Sequence, residues 1–131
     1  MKTTDLMIGD WVLINDAPHK IQAIDSIDAE IQADDELCYV GEDRYHSEDN
    51  IEDILITPEI LEKNGWKDRE NLMELRVNED ICFLWSKGYG VFTGAFTNQI
   101  GRYICNFKYV RTLQHLLHRY GLNELADNFK I

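Results

Sequence analysis

The sequence predicts an α+β fold, mostly antiparallel β, on three observations. Short apolar runs alternate with polar residues at period 2, and Gly, Asn, Asp and Pro turns separate them through most of the chain. One segment, Tyr109 to Tyr120, instead spaces its apolar residues as one face of a helix. A shorter one, Thr57 to Gly65, carries helix start and stop signals. The expected architecture is an N-terminal SH3-like small barrel or bent meander, a short central helix, and a C-terminal amphipathic helix packed on a second antiparallel meander. The 131 residues suit an acidic β subdomain over 1–56 and a second part over 57–131 that shares one core with it.

The elements follow in order. Leu6 to Ile14 reads as a strand with a bulge or bend at Gly9-Asp10. Asn15-Asp16-Ala17-Pro18 reads as a turn, and His19 to Ile24 as the next strand. Ile27, Ala29 and Ile31 alternate with Asp28, Glu30 and Gln32, the pattern of a strand with one wet, acidic face. Asp34-Asp35 is a turn, Glu36 to Val40 a strand, Gly41 to Asn50 a loop, and Ile51 to Ile56 a strand again.

Thr57 can cap a helix, Pro58 suits its first position, and Glu59 favours the positive end of its dipole. Asn64-Gly65 ends it with a left-handed glycine, and Trp66 is the expected anchor beyond. Leu72 to Val77, Ile81 to Trp85, Val91 to Phe96 and Tyr103 to Phe107 make the second meander, with turns at Lys87 to Gly90 and Thr97 to Gly101. In the last helix Tyr109, Val110, Leu113, Leu116, Leu117 and Tyr120 span an arc of about 120° at 100° per residue. Arg111, Thr112, Gln114, His115, His118 and Arg119 are assigned to the other side, and Gly121 stops the helix. The tail offers one helical turn from Asn123, then an extended Phe129-Lys130-Ile131.

Charge is the most uneven property. Residues 1–62 hold 17 Asp and Glu against 3 Lys and Arg, a net −14, whereas residues 63–131 hold 7 against 10, a net +3. An acidic half of that size repels phosphates, so direct nucleic-acid binding through it is disfavoured; the imbalance reads as solubility and attraction between the two halves or, in the sharper alternative, as a surface that meets a basic protein partner. Cys38, Cys82 and Cys105 are odd in number and lie in apolar contexts, as expected of buried reduced thiols in the cytoplasm. No apolar run approaches membrane-spanning length, and Met1 to Asp5 lacks a signal-like apolar stretch.

Motifs for chemistry are sparse. His115 and His118 are three apart on a helix, a spacing that aims two ligands one way, but a transition metal takes three or four. They fall on the polar side and read as surface histidines. The acidic clusters at Asp25, Asp28, Glu30 and at Asp34, Asp35, Glu36 lack the offsets of a calcium loop. Ser26, Ser47 and Ser86 lack a nucleophile elbow, and Gly88-x-Gly90 is too short to cradle phosphates. No cofactor is implied. The one basic constellation is Arg102, Lys108, Arg111, His115, His118 and Arg119, a candidate binding patch for an anion or for the acidic half of the same chain.

Three stretches, LMIGDWV (Leu6 to Val12), ILITPEILEKNGW (Ile54 to Trp66) and KYVRTLQHLLHRYGL (Lys108 to Leu122), resemble a group of small uncharacterised proteins of Bacteroides-type bacteria and their prophages and mobile elements. The resemblance implies no activity. Relatives in that group often spell HExxH in the last helix; here Arg111 and Thr112 replace the first His and the Glu ahead of His115, which removes a zinc ligand and the general base. The functional expectation is therefore a non-enzymatic accessory binding protein. The alternatives are an acidic decoy that mimics nucleic acid, motivated by the alternating strand at Ile27 to Gln32, and a small hydrolase or metal-dependent enzyme built from non-local residues.

Overall fold

The computed structural model describes residues 1–25, 27–33, 46–78, 82–87, 91–95 and 102–131, with the backbone alone for 91–95 and 102–106. The fold is α+β, with three α-helices and two mostly antiparallel sheets among the described residues. It divides into two units: Met1–Ile54 with Tyr109–Asn128, and Leu55–Lys108 with Phe129–Ile131.

The first unit is built on β1 (Trp11–Ile14), β2 (Ala17–Asp25), β3 (Glu30–Ala33), β4 (His46–Ser47) and β5 (Ile51–Glu52), in the sheet order β4-β3-β2-β1-β5. Of the two expected forms this is the meander; the sheet is not closed into a barrel. Val12, Ile14, Ile21, Ile31, Ala33 and Ile51 bury one face of it together with Leu6. The turn between β1 and β2 is only Asn15-Asp16, both left-handed at φ 52° and 65°, as a two-residue hairpin with a right-handed twist requires. Pro18 lies inside β2 rather than in the turn. It sits opposite Leu13, one position beyond the Ile14–Ala17 pair that closes the hairpin, where no hydrogen bond to β1 is needed from its missing N–H.

Several boundaries differ from the sequence expectation. The strand expected from Leu6 begins only at Trp11; Thr3–Asp5 form a 3-10 turn, and Gly9 (φ 95°) bends the chain into β1. The strand expected at Ile27 begins at Glu30. Asp25 Oδ1 accepts hydrogen bonds from the Ile27 and Asp28 N–H groups, Ala29 is left-handed, and Ile27 is 93% exposed, so the first half of the alternating pattern is a turn. Of the strand expected over Ile51 to Ile56, the ladder covers only Ile51–Glu52; beyond it the Ile54 carbonyl accepts from the Val110 N–H, the Ile56 N–H donates to the Lys108 carbonyl, and Ile54 and Ile56 are buried. The expected strand Glu36 to Val40 and the glycines of the Lys87 to Gly90 turn lie outside the described residues, as does the turn from Thr97 to Gly101.

The second unit opens with α1 (Pro58–Lys63). Thr57 Oγ1 accepts from the Ile60 N–H, Pro58 holds the first position, and Gly65 (φ 86°) terminates it. At six residues it is too short to stand alone. Buried Leu61 and Trp66 hold it, and the Asn64 side chain donates to the Ile60 and Lys130 carbonyls while accepting from the Lys130 N–H. Then β6 (Lys67–Asp68), β7 (Leu72–Arg76), β8 (Cys82–Ser86), β9 (Val91–Ala95) and β10 (Arg102–Asn106) form a meander in the order β10-β9-β8-β7-β6. Met73 lies opposite Trp85 and Leu75 opposite Phe83, all four buried. Cys82 is buried and free, and burial pushes its thiol pKa up.

The last helices, α2 (Val110–Arg119) and α3 (Asn123–Asp127), group by their contacts with the first unit. The side chains of Arg111, Gln114 and His115 find their partners in residues 5–11 and 53.

Candidate functional site

Gln114, assigned to the polar side of α2, is 1% exposed. At 100° per residue it stands only about 40° from Val110, at the border of the apolar arc. Its Oε1 accepts from the Trp11 N–H at 2.9 Å, and its Nε2 donates to the Gly9 carbonyl at 2.9 Å and the Ala126 carbonyl at 3.1 Å. One amide therefore satisfies three backbone groups at the start of β1 and in α3, which makes its burial affordable.

The candidate basic patch is resolved residue by residue. Arg111 grips Asp53 with Nε and Nη2 at 2.9 and 3.2 Å, and Nη1 donates to the Asp5 carbonyl. The hydrogen bond to Asp53 holds the guanidinium above its already high ordinary pKa. His115 Nε2 lies 2.9 and 2.8 Å from the two oxygens of Asp10, a carboxylate 2% exposed that also accepts from the Met7 N–H. His118 meets Asn123 and Asp127. The two histidines read as surface residues thus each meet a carboxylate, and positions 111 and 115 face protein rather than solvent. Arg119 and Lys108 are exposed; Lys108 and the backbone of Arg102 belong to the second unit. The six residues do not form one free patch. Three of them are engaged by their own unit, and the acids that engage Arg111 and His115 come from the −14 half.

Those internal pairs separate two classes of acid. Asp10 and Asp53 are engaged by α2, and Glu48 Oε2 accepts from the Thr3 N–H. Asp16, Asp49 and Glu52 are exposed and make no ion pair with another described residue. They come together through register. β5 runs antiparallel to β1, with Leu13 opposite Glu52 and Ile14 opposite Ile51, so the 3-10 turn Glu48–Asn50 that leads into β5 arrives beside the Asn15-Asp16 turn. Ser47 Oγ shapes that turn by accepting from the Asp49 N–H. The result is a cleft of about 240 Å³ lined by Leu13, Asn15, Asp16, Asp49, Asn50 and Glu52. Among the described residues, three carboxylates and two carboxamides line it and no basic side chain does. The sequence showed the excess of acids, but it held no signal for which acids would be consumed internally and which would gather.

Among the described residues, no group of three or more His, Cys, Asp or Glu is placed to hold a metal ion. Among the described residues, the His115 ring meets the Asp10 carboxylate and no hydroxyl or thiol that it could activate. No described helix is long and apolar enough to cross a membrane. Comparison with known proteins finds no matching family, no matching curated protein and no matching solved structure.

Proposed function

We propose that the protein is a non-enzymatic interaction module whose acidic unit receives a Lys- or Arg-bearing segment of a protein partner in the cleft between the Asn15-Asp16 turn and Asp49–Glu52. The observation that carries this reading is the gathering of Asp16, Asp49 and Glu52 around one concavity with no cation among the described residues that line it. Three like charges held close repel one another, and an entering ammonium or guanidinium relieves that repulsion while the Asn15 and Asn50 carboxamides supply further acceptors. Such a role suits an accessory protein of a mobile element, the setting its sequence resemblance implies. The decoy reading has less support, because the alternating strand that motivated it is a turn over its first half.

A labelled Lys/Arg-rich peptide, followed by fluorescence anisotropy against an acidic peptide of equal length, tests the proposal. Binding is expected to weaken steeply between about 50 and about 300 mM salt. It should also weaken roughly tenfold in the triple variant D16N/D49N/E52Q. Equal binding by the triple variant would remove the cleft from consideration.

A further inference from the structure

We propose that His118 is a proton-operated clamp that holds α3 against the end of α2. The ring sits in the last turn of α2 with both nitrogens engaged. Nδ1 is 2.9 Å from Asn123 Oδ1, and Nε2 is 3.0 Å from Asp127 Oδ1. Both partners are oxygens of α3, at its first and last residues. A carboxylate and an amide oxygen only accept hydrogen bonds, so the docked geometry asks for a hydrogen on each ring nitrogen. A neutral imidazole has one. His115, one turn earlier, differs: among the described residues only its Nε2 is engaged, and the neutral ring can still donate there.

The element under the clamp depends on such bonds. At five residues, and without a side-chain N-cap, α3 has no stability of its own. Besides His118 it is held by buried Ala126, whose carbonyl accepts from Gln114, and by Lys20 Nζ, which donates to the Asp127 carbonyl at 2.6 Å. The charged groups on the elements that meet here are Asp127 and Glu124 on α3, His115 and Arg119 on α2, and Lys20 on β2. His115 is occupied by Asp10, and Lys20 by the Asp127 carbonyl. Histidine exchanges its second proton between about pH 5 and 8, so the second bond is present on the acid side of that window and lost on the alkaline side. Asp127 is also one wall of a groove of about 320 Å³ that includes Ile8, Gly9 and Ile21, so loosening α3 changes access to a surface where Ile8 is already exposed.

Hydrogen-exchange mass spectrometry on the whole chain, corrected for the intrinsic pH dependence of exchange, reads the clamp directly. Protection of residues 122–128 is expected to fall roughly fivefold between about pH 5.5 and about pH 8, one hydrogen bond's worth. The pH response should vanish in H118Q and shrink in N123A, which leaves the Asp127 contact in place. α1 contains no histidine and should show no such response in any of these proteins. A pH-independent α3 in the wild type, as an Asn123 amide turned to donate to a neutral ring would produce, overturns the proposal. So does an undiminished response in H118Q.

Discussion

In the first unit, α2 is joined to the sheet's margin by polar side chains: Gln114 on the backbone at Gly9 and Trp11, His115 on Asp10, Arg111 on Asp53. In the second, β7 and β8 meet through Met73, Leu75, Phe83 and Trp85, and its long-range polar bonds include those of Asn64 to Lys130 and of the Trp85 indole N–H to the Phe107 carbonyl. The contrast shows why the acidic half tolerates its charge. Part of that charge is spent on holding a helix from the far end of the chain, and only the remainder is free to gather at the Asp16–Asp49–Glu52 cleft. It also shows what each unit is sensitive to: lost polar partners in one, lost volume in the other.

The strongest way to break the comparison is Gln114→Ala. It strands the Trp11 N–H and the Gly9 and Ala126 carbonyls, and should destabilise the first unit by about 4 kcal/mol. Met73→Ala empties a fully buried site and should cost the second unit about 3 kcal/mol. Urea unfolding read by hydrogen exchange separates the two. Protection should fall first in β1 and β2 for Gln114→Ala and in β7 and β8 for Met73→Ala. Equal loss in both units from either variant would mean one cooperative fold.

Arg111→Leu is next. It leaves Asp53 unpaired at 17% side-chain exposure, and a partly screened pair of this kind should cost about 2 kcal/mol. Adding Asp53→Leu should restore more than half of that, because the uncompensated charge goes with it; a purely additive double-mutant cycle would contradict the pairing.

The smallest effect belongs to the second unit's exposed pair. Lys87 Nζ lies 2.6 Å from Asp68 Oδ1, and this hydrogen bond is the main reason the Asp68 carboxyl sits below its ordinary pKa. A carboxyl lowered by folding adds stability above its unfolded pKa and loses it as pH falls through the folded one. Lys87→Met should move the Asp68 carboxyl back toward the ordinary range in a carbon-13 titration, with no measurable change in urea midpoint at neutral pH.

Legibility in the sequence followed the range of the interaction. Thr57, Pro58 and Gly65 announced α1 because a cap, a first-turn proline and a left-handed glycine act on their own neighbours. Met73 and Leu75 announced β7 through a period of two, and the apolar arc from Tyr109 to Tyr120 announced α2. Ile27 misled because its alternation ran straight into a turn made by the Asp25 carboxylate, a local competitor that periodicity does not weigh. Gln114 was assigned outward by its polarity, although its position beside Val110 left room for burial.

The site was less legible than the fold. That the first 62 residues are acidic was evident, and so was the possibility that the basic residues of α2 face them. Which acids pair and which gather depends on contacts about a hundred residues apart, such as Asp10 with His115, and on the register that sets β5 beside β1.

The sequence by itself determined the α+β class, both meanders, the short capped helix, the amphipathic helix and the imbalance of charge, because each rests on local backbone preference, side-chain period or composition. Only the tertiary structure decided that the last helix joins the first unit, that Gln114 and Asp10 are buried, and that Asp16, Asp49 and Glu52 surround a cleft. Those outcomes depend on which distant donors and acceptors meet, and a buried polar group goes where its partners are, which no local pattern records.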